Sequence, residues 1–211
     1  MLEFDSSTLF ISLEAEYDDY ASEAEGALDI ALSRILNVKR SLERSDQRSP
    51  FDTIESRIKT LDSVIEKCDR KDYKPNMESI KANVLDIAGI RIITPFRDDI
   101  YTVVDFLHHI PGLNVANEKD YVKNPKENGY SSYHMTVYVE IYIPIDNSTK
   151  LIPIEIQIRD KAMDTWATIE HIIRYKNPTP DPRASERLKR IAEVLDDFDE
   201  MAIELRDSSN A

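Results

Sequence analysis

Glycine is scarce in this chain. Four glycines occur in 211 residues, Gly26, Gly89, Gly112 and Gly129. No two lie close enough to build a Walker A loop or a G-x-G-x-x-G fingerprint, so any phosphate must be held by side chains and not by a glycine-rich backbone cradle. Cysteine is scarcer still: Cys68 stands alone, which excludes an internal disulfide and a multi-cysteine metal site and points to a reducing, cytoplasmic setting. No apolar run approaches the roughly 18 residues of a membrane span, and the first residues lack the basic-then-apolar pattern of a signal peptide. Positive charge is in deficit, with a formal net charge of −13. So acidic a surface repels nucleic acid, whose binding rests on phosphate neutralisation. A small anionic ligand stays compatible where basic residues converge locally.

What is present describes a globular protein, 41% hydrophobic and 32% charged, with enough chain for one domain and its own core. Residues 12–44 carry apolar side chains at three- and four-residue steps and predict a long amphipathic helix. After a break at 48–50, Ile54, Ile58, Leu61 and Ile65 predict a second helix over 52–68. On that helix Lys59, Ser63 and Lys67 share a face opposite the apolar one. Residues 69–77 read as a loop. The β-branched run 84–93 predicts a buried strand carrying Asp86 and Arg91, charges that burial tolerates only when paired or liganding. A helix over 98–110 and a short strand over 113–116 complete a βαβ-like unit.

The stretch 119–134 has too many turn formers for a core strand and too many rings for an idle linker. Asn124-Pro125 and Asn128-Gly129 are turn dipeptides, because proline fixes φ and glycine accepts φ > 0. Lys123, Lys126, Tyr130, Tyr133 and His134 surround them, and cations beside exposed rings suit a phosphate attached to a flat base. Strands over 134–143 and 151–159 predict a hairpin. In the second strand Ile152, Ile154, Ile156 and Ile158 make a core face, while Glu155, Gln157 and Arg159 line up on the other. A helix over 160–176 places Glu170 inside an apolar stripe. A proline-rich linker over 177–182 and a helix over 185–206 follow.

Five segments together resemble the Rel-Spo synthetase family in its short, stand-alone form, the small alarmone synthetases. They are Asp86-Ile-Ala-Gly-Ile-Arg91, Lys126-Glu-Asn-Gly-Tyr-Ser-Ser-Tyr-His134, Glu155-Ile-Gln-Ile-Arg159, the run 162–171 and the run 56–67. The resemblance implies an α+β fold, a mixed β-sheet flanked by helices with nucleotidyltransferase-like character. It also implies a helical extension at 1–48, a synthetase domain at 49–177 and a C-terminal helix at 178–211. The reaction it implies moves the β,γ-pyrophosphate of ATP to the 3′-hydroxyl of GDP or GTP, giving AMP and ppGpp or pppGpp.

By the same resemblance, Arg57 and Arg91 sandwich adenine, while Lys59, Ser63 and Lys67 contact ATP phosphates. Asp86 and Glu155 hold Mg²⁺, and Glu155 assists deprotonation of the 3′-hydroxyl. Tyr130 stacks on guanine, Lys126 and His134 take the acceptor's phosphates, Gln157 sits near the ribose, and Asp164 and Glu170 lie near the acceptor base. A homo-oligomer, a tetramer in the family's pattern, is expected. Ser131 and Lys119 stand where family members often carry arginine, which leaves the acceptor open between guanine nucleotides and the tRNA or adenine nucleotides used by the family's toxic branch. A non-catalytic nucleotide-binding or assembly module is the remaining reading. Thr53 and Glu55 replace residues that accompany alarmone activation. The histidines do not offer a hydrolase metal pattern, so synthesis without hydrolysis is expected.

Overall fold

A computed structural model describes residues 6–45, 47–176 and 182–209. The order is α1 (Ser6–Arg44), β1 (Thr53–Ile58), α2 (Leu61–Lys71), α3 (Met77–Asn83), β2 (Ala88–Thr94), α4 (Asp99–His109), β3 (Asn114–Asp120), β4 (Tyr133–Ile143), β5 (Ser148–Asp160), α5 (Lys161–Lys176) and α6 (Pro182–Ser209). The strands form one mixed sheet in the order β1-β2-β5-β4-β3. Only β2 and β5 pair in parallel; the other neighbours are antiparallel. The proline-rich stretch 177–181 lies outside the described residues.

The apolar side of the sheet is the core. Ile90, Ile92, Met135, Val137, Ile154, Ile156 and Ile158 are each at most 1% exposed, and they pack with Tyr17, Ala24, Ala27, Ala31 and Ile35 of α1. Each buried isoleucine contributes roughly 1.5–3 kcal/mol. Small residues along α1 let that helix approach the sheet closely. A second cluster joins α5 to α6 through Met163, Trp166, Leu188 and Ala192.

The structure corrects the expected helix over 52–68. Residues Thr53–Ile58 form an edge strand paired with β2, and the helix begins only at Leu61, where the Thr60 side chain accepts a hydrogen bond from the Ser63 amide. A four-residue spacing is an even number, so Ile54 and Ile58 share a face in a strand as well as in a helix. Lys59, Ser63 and Lys67 therefore do not share a helical face: Lys59 lies in the link before α2. A further helix, α3, fills the interval between the expected loop and strand, capped by Asn76 on the Ser79 amide at 2.9 Å. β3 runs on to Asp120, absorbing the start of the basic stretch. The βαβ-like unit is split, because β5 and β4 lie between β2 and β3.

Candidate active site

Directly paired residues in a ladder project to one face. Arg57 pairs with Gly89 and Glu55 with Arg91; Gly89 pairs with Glu155 and Arg91 with Gln157; His134 pairs with Gln157 and Thr136 with Glu155. One side of the sheet is thus a polar floor opposite the isoleucine face. Gly89, lacking a side chain between Arg57 and Glu155, helps open a cavity of about 140 Å³ lined by Arg57, Asp86, Gly89, Arg91, Glu155 and Gln157. Arg57 and Arg91 are diagonal neighbours across the β1–β2 ladder, a spacing of roughly 7–8 Å between such positions, which suits one flat ring between two guanidiniums. Arg91 Nη1 donates to Glu55 Oε2 at 3.3 Å.

Asp86 precedes β2 and meets the side of the cavity nearest α2. Its carboxylate takes hydrogen bonds from Lys59 Nζ and from Lys67 Nζ at 2.7 Å. The Lys59 backbone is pinned on both sides: its amide donates to Ile87 O at 2.9 Å, and the Tyr17 hydroxyl of α1 donates to its carbonyl at 2.5 Å. Burial alone would push the Asp86 carboxyl up, but the two ammonium groups outweigh it and hold it below the ordinary carboxylate range. Ser63 stays exposed in the first turn of α2, its hydroxyl near that of Thr60 at 3.1 Å. Lys59 and Lys67 converge on Asp86, and Ser63 does not join them there.

Glu155 is the centre of a chain of hydrogen bonds. His134 Nδ1 lies 3.3 Å from Oε1, and Gln157 Nε2 donates to Oε2 at 2.7 Å. Burial acts to raise this carboxyl, as does the nearby Asp86 charge, yet the His134 and Gln157 bonds lower it on balance. With Nδ1 donating to the carboxylate, Nε2 of His134 accepts from the Tyr130 hydroxyl at 2.9 Å. Arg159 extends the chain, donating to Gln157 Oε1 at 2.8 Å and to Asp164 Oδ1 at 3.3 Å. Glu170 is half-buried on α5, six residues beyond Asp164.

Tyr130 stands in an aromatic wall. Its ring centroid lies 5.9 Å from His134, 6.1 Å from Trp166 and 6.3 Å from Tyr121. Lys126 Nζ is 4.7 Å from the Tyr121 and Tyr130 ring centroids alike. The loop between β3 and β4 is closed by the Tyr121 amide on Ser132 O at 2.9 Å and turned by Asp120 Oδ1 accepting from the Val122 and Lys123 amides. Gly129 adopts φ +90, and a Cβ there would sit 2.6 Å from the Ala192 Cβ of α6. Only glycine fits this turn beneath the C-terminal helix.

Comparison with known proteins decides what kind of chain this is. Residues 56–180 match the region found in RelA and SpoT proteins. GTP pyrophosphokinase YwaC of Bacillus subtilis is 34% identical over 181 residues, 85% of each chain.

The chain belongs to the RelA/SpoT family.

A second Bacillus subtilis member, GTP pyrophosphokinase YjbM, is 34% identical over 82% of this chain and 80% of its own. The fold agrees with family structures. Small alarmone synthetase 1 from Bacillus subtilis, bound to its product pppGpp, superposes with a TM-score of 0.84 at 31% identity, covering 92% of this chain and 97% of the other. A GTP pyrophosphokinase family protein from Streptococcus pneumoniae superposes at 0.81 and 31% identity, covering 92% and 94%. The mixed sheet with helical extensions is therefore the family's architecture. Among the described residues no helix is long and apolar enough to cross a membrane.

Sequence reasoning gave no role to Glu55, Arg159 or Trp166. Arg159 stands in the polar row of the second strand but without a role of its own, and Glu55 shares the polar face with Arg57 on β1, where the strand period is masked by a helical spacing. Trp166 shows its connection to Tyr130 only in three dimensions.

Proposed function

We propose that this chain transfers the pyrophosphate of ATP to the 3′-hydroxyl of GDP or GTP, releasing AMP and an alarmone. The observation that carries the reading is the meeting of Asp86 and Glu155, 69 positions apart in the sequence, at one cavity with arginines on one flank and Tyr130 on the other. The relatives' names and the product-bound structure of one of them support it.

The donor set suits Mg²⁺. Two carboxylates offer hard oxygen ligands, and Asp86 is close enough for its charge to act on Glu155. Among the described residues no group of three or more His, Cys, Asp and Glu side chains could hold a metal ion. Phosphate oxygens complete the shell in such a site. Asp86 and Glu155 would hold the ion, whose charge would offset that of the phosphates and the charge that develops on transfer.

The chain's own residues do the rest. Arg57 and Arg91 stack on adenine. Lys59 and Lys67 exchange Asp86 for the ATP phosphates, which Ser63 also contacts. Glu155 receives the proton of the 3′-hydroxyl, with Gln157 near the ribose. Tyr130 stacks on guanine, Lys126 and His134 take acceptor phosphates, and Asp164 and Glu170 border the base. Transfer needs two polyanions in line, and fixed cations in a partly dehydrated cleft count for more than in water. The cytoplasm, where these nucleotides are plentiful, is the place of action, and the buried free thiol of Cys68 agrees with it.

We also assign a homo-oligomer. Val194, Phe198, Met201 and Leu205 recur at three- and four-residue steps on α6 and are each 59–69% exposed, an apolar stripe suited to a second copy.

The test is incubation of purified protein with Mg²⁺ and ATP labelled in its terminal phosphates, offering GDP, GTP, ATP or tRNA separately. AMP with a labelled guanosine product is expected. Label on tRNA or on an adenine nucleotide would replace the acceptor, and no AMP with any acceptor would remove the enzymatic reading.

A further inference from the structure

Arg159 ends the polar row of β5 and is buried, 7% exposed. Its guanidinium carbon lies 5.6 Å from the Tyr130 ring centroid. Two of its nitrogens are spoken for by Gln157 and Asp164, while Nε is buried without a hydrogen-bond partner among the described residues. Burying a guanidinium with one donor unmet costs stability that an apolar side chain of similar volume would not incur. The placement calls for a reason other than core packing.

The reason follows from donor and acceptor chemistry. A guanidinium has five N–H donors and no acceptor. Gln157 can meet Arg159 only through Oε1, so its NH₂ must face the other way. That other side holds Glu155 Oε2, 2.7 Å from Nε2. If the amide flipped, its carbonyl would face the Glu155 carboxylate and its NH₂ would face the Arg159 donors, and both hydrogen bonds would be lost. The geometry points to Arg159 as a positioning residue: by fixing the direction of the Gln157 amide it holds the Glu155 carboxylate in place for the acceptor hydroxyl, without touching substrate. Asp164 anchors the guanidinium by accepting from it on the far side, while on the near side Arg159 donates to Gln157 and Gln157 donates in turn to Glu155. This rests on the proposed role of Glu155 as proton acceptor.

Arg159→Met keeps the stem and removes the donors. We expect kcat to fall by about 10- to 100-fold, within the range of positioned acid–base groups, with KM for ATP within about twofold, because Arg57, Arg91, Lys59 and Lys67 are untouched. Gln157→Ala should lose a similar factor, and the double variant should be no slower than the slower single one, since the two act as a unit. Losses that multiply would overturn the proposal, as would a rise in KM for ATP matching the fall in kcat. Arg159→Lys can reach one partner but not both and should recover part of the rate; if the methionine variant does not fold, the same coupling is measured with lysine. A readout free of activity is the side-chain amide signal pair of Gln157 in ¹⁵N NMR. It should move toward free-amide positions in the Arg159 variants and stay in place in Arg57→Ala. An unmoved pair overturns the positioning role even in an inactive protein, whereas a wild-type chain that makes no product, with the pair moved in its Arg159 variants, overturns only the reaction.

Discussion

Tyr130 and Glu155 are joined through His134, yet in the proposed reaction one binds the acceptor's base and the other takes its proton, so single substitutions should separate them. Stacking of one base on an aromatic ring contributes roughly 1–3 kcal/mol, so Tyr130→Ala should raise KM for the guanine nucleotide about 5- to 150-fold. Steady-state kinetics with ATP saturating measures this, and an unchanged KM would argue against stacking. Glu155→Gln keeps size and loses the charge. It should lower AMP release by about 10²- to 10⁴-fold, as loss of a general base does, with a melting temperature close to wild type. Normal alarmone output from that variant would refute the assignment.

At the scale of elements, α6 is tied to the catalytic domain by polar contacts. The Trp166 indole N–H donates to Leu188 O at 2.7 Å, Arg206 donates both Nη atoms to Asp98 at 2.9 and 2.7 Å, and the Arg97 amide donates to Asp199 Oδ2 at 3.0 Å. Asp199 is 4% exposed. Burial, then the charge of Asp160 on β5, pushes its carboxyl up to about 6, against the opposing pull of Arg97. A carboxyl raised in the folded state contributes stability below its unfolded value, near 3.8, and loses it as pH rises through about 6. Asp199→Asn keeps an acceptor for the Arg97 amide and removes the charge. It should therefore melt higher than wild type at pH 8, by no more than ~3 kcal/mol of stability, and the gain should shrink toward pH 4.5. A gain that grows as pH falls would contradict this account.

Elements also show what a sequence can and cannot disclose. The isoleucine alternation of β5 has a strand period that no helix shares, and it located both the core face and the Glu155-Gln157-Arg159 row. Ile54 and Ile58 have a spacing common to both periods, so β1 was hidden inside an apparent helix. The meeting of Lys59 and Lys67 on Asp86 was not foreseen, because it depends on where β1 ends and α2 turns back, not on a shared face. The seat of Gly129 under Ala192 was beyond reach: nothing in the loop's composition says which distant helix will cover it.

For the molecule as a whole, a net charge of −13 coexists with a cleft where Arg57, Lys59, Lys67 and Arg91 gather. That cleft is locally basic in a chain whose acidic side chains outnumber its basic ones 40 to 27, which leaves the surface acidic on balance. The apolar stripe on α6 interrupts that acidic surface. Replacing Phe198 and Met201 together by aspartate should reduce the mass seen by light scattering to that of a monomer, 24.3 kDa. An unchanged mass would place any contact between copies elsewhere.

Trp166 is the sole tryptophan, is 1% exposed, and has its ring 6.1 Å from that of Tyr130. Its emission is consequently a built-in optical gauge of the surroundings of Tyr130, the proposed acceptor subsite. Titrating GDP should dim or shift the signal along a saturating curve, Tyr130→Ala should flatten that response, and the occupancy of one subsite becomes visible without label or turnover.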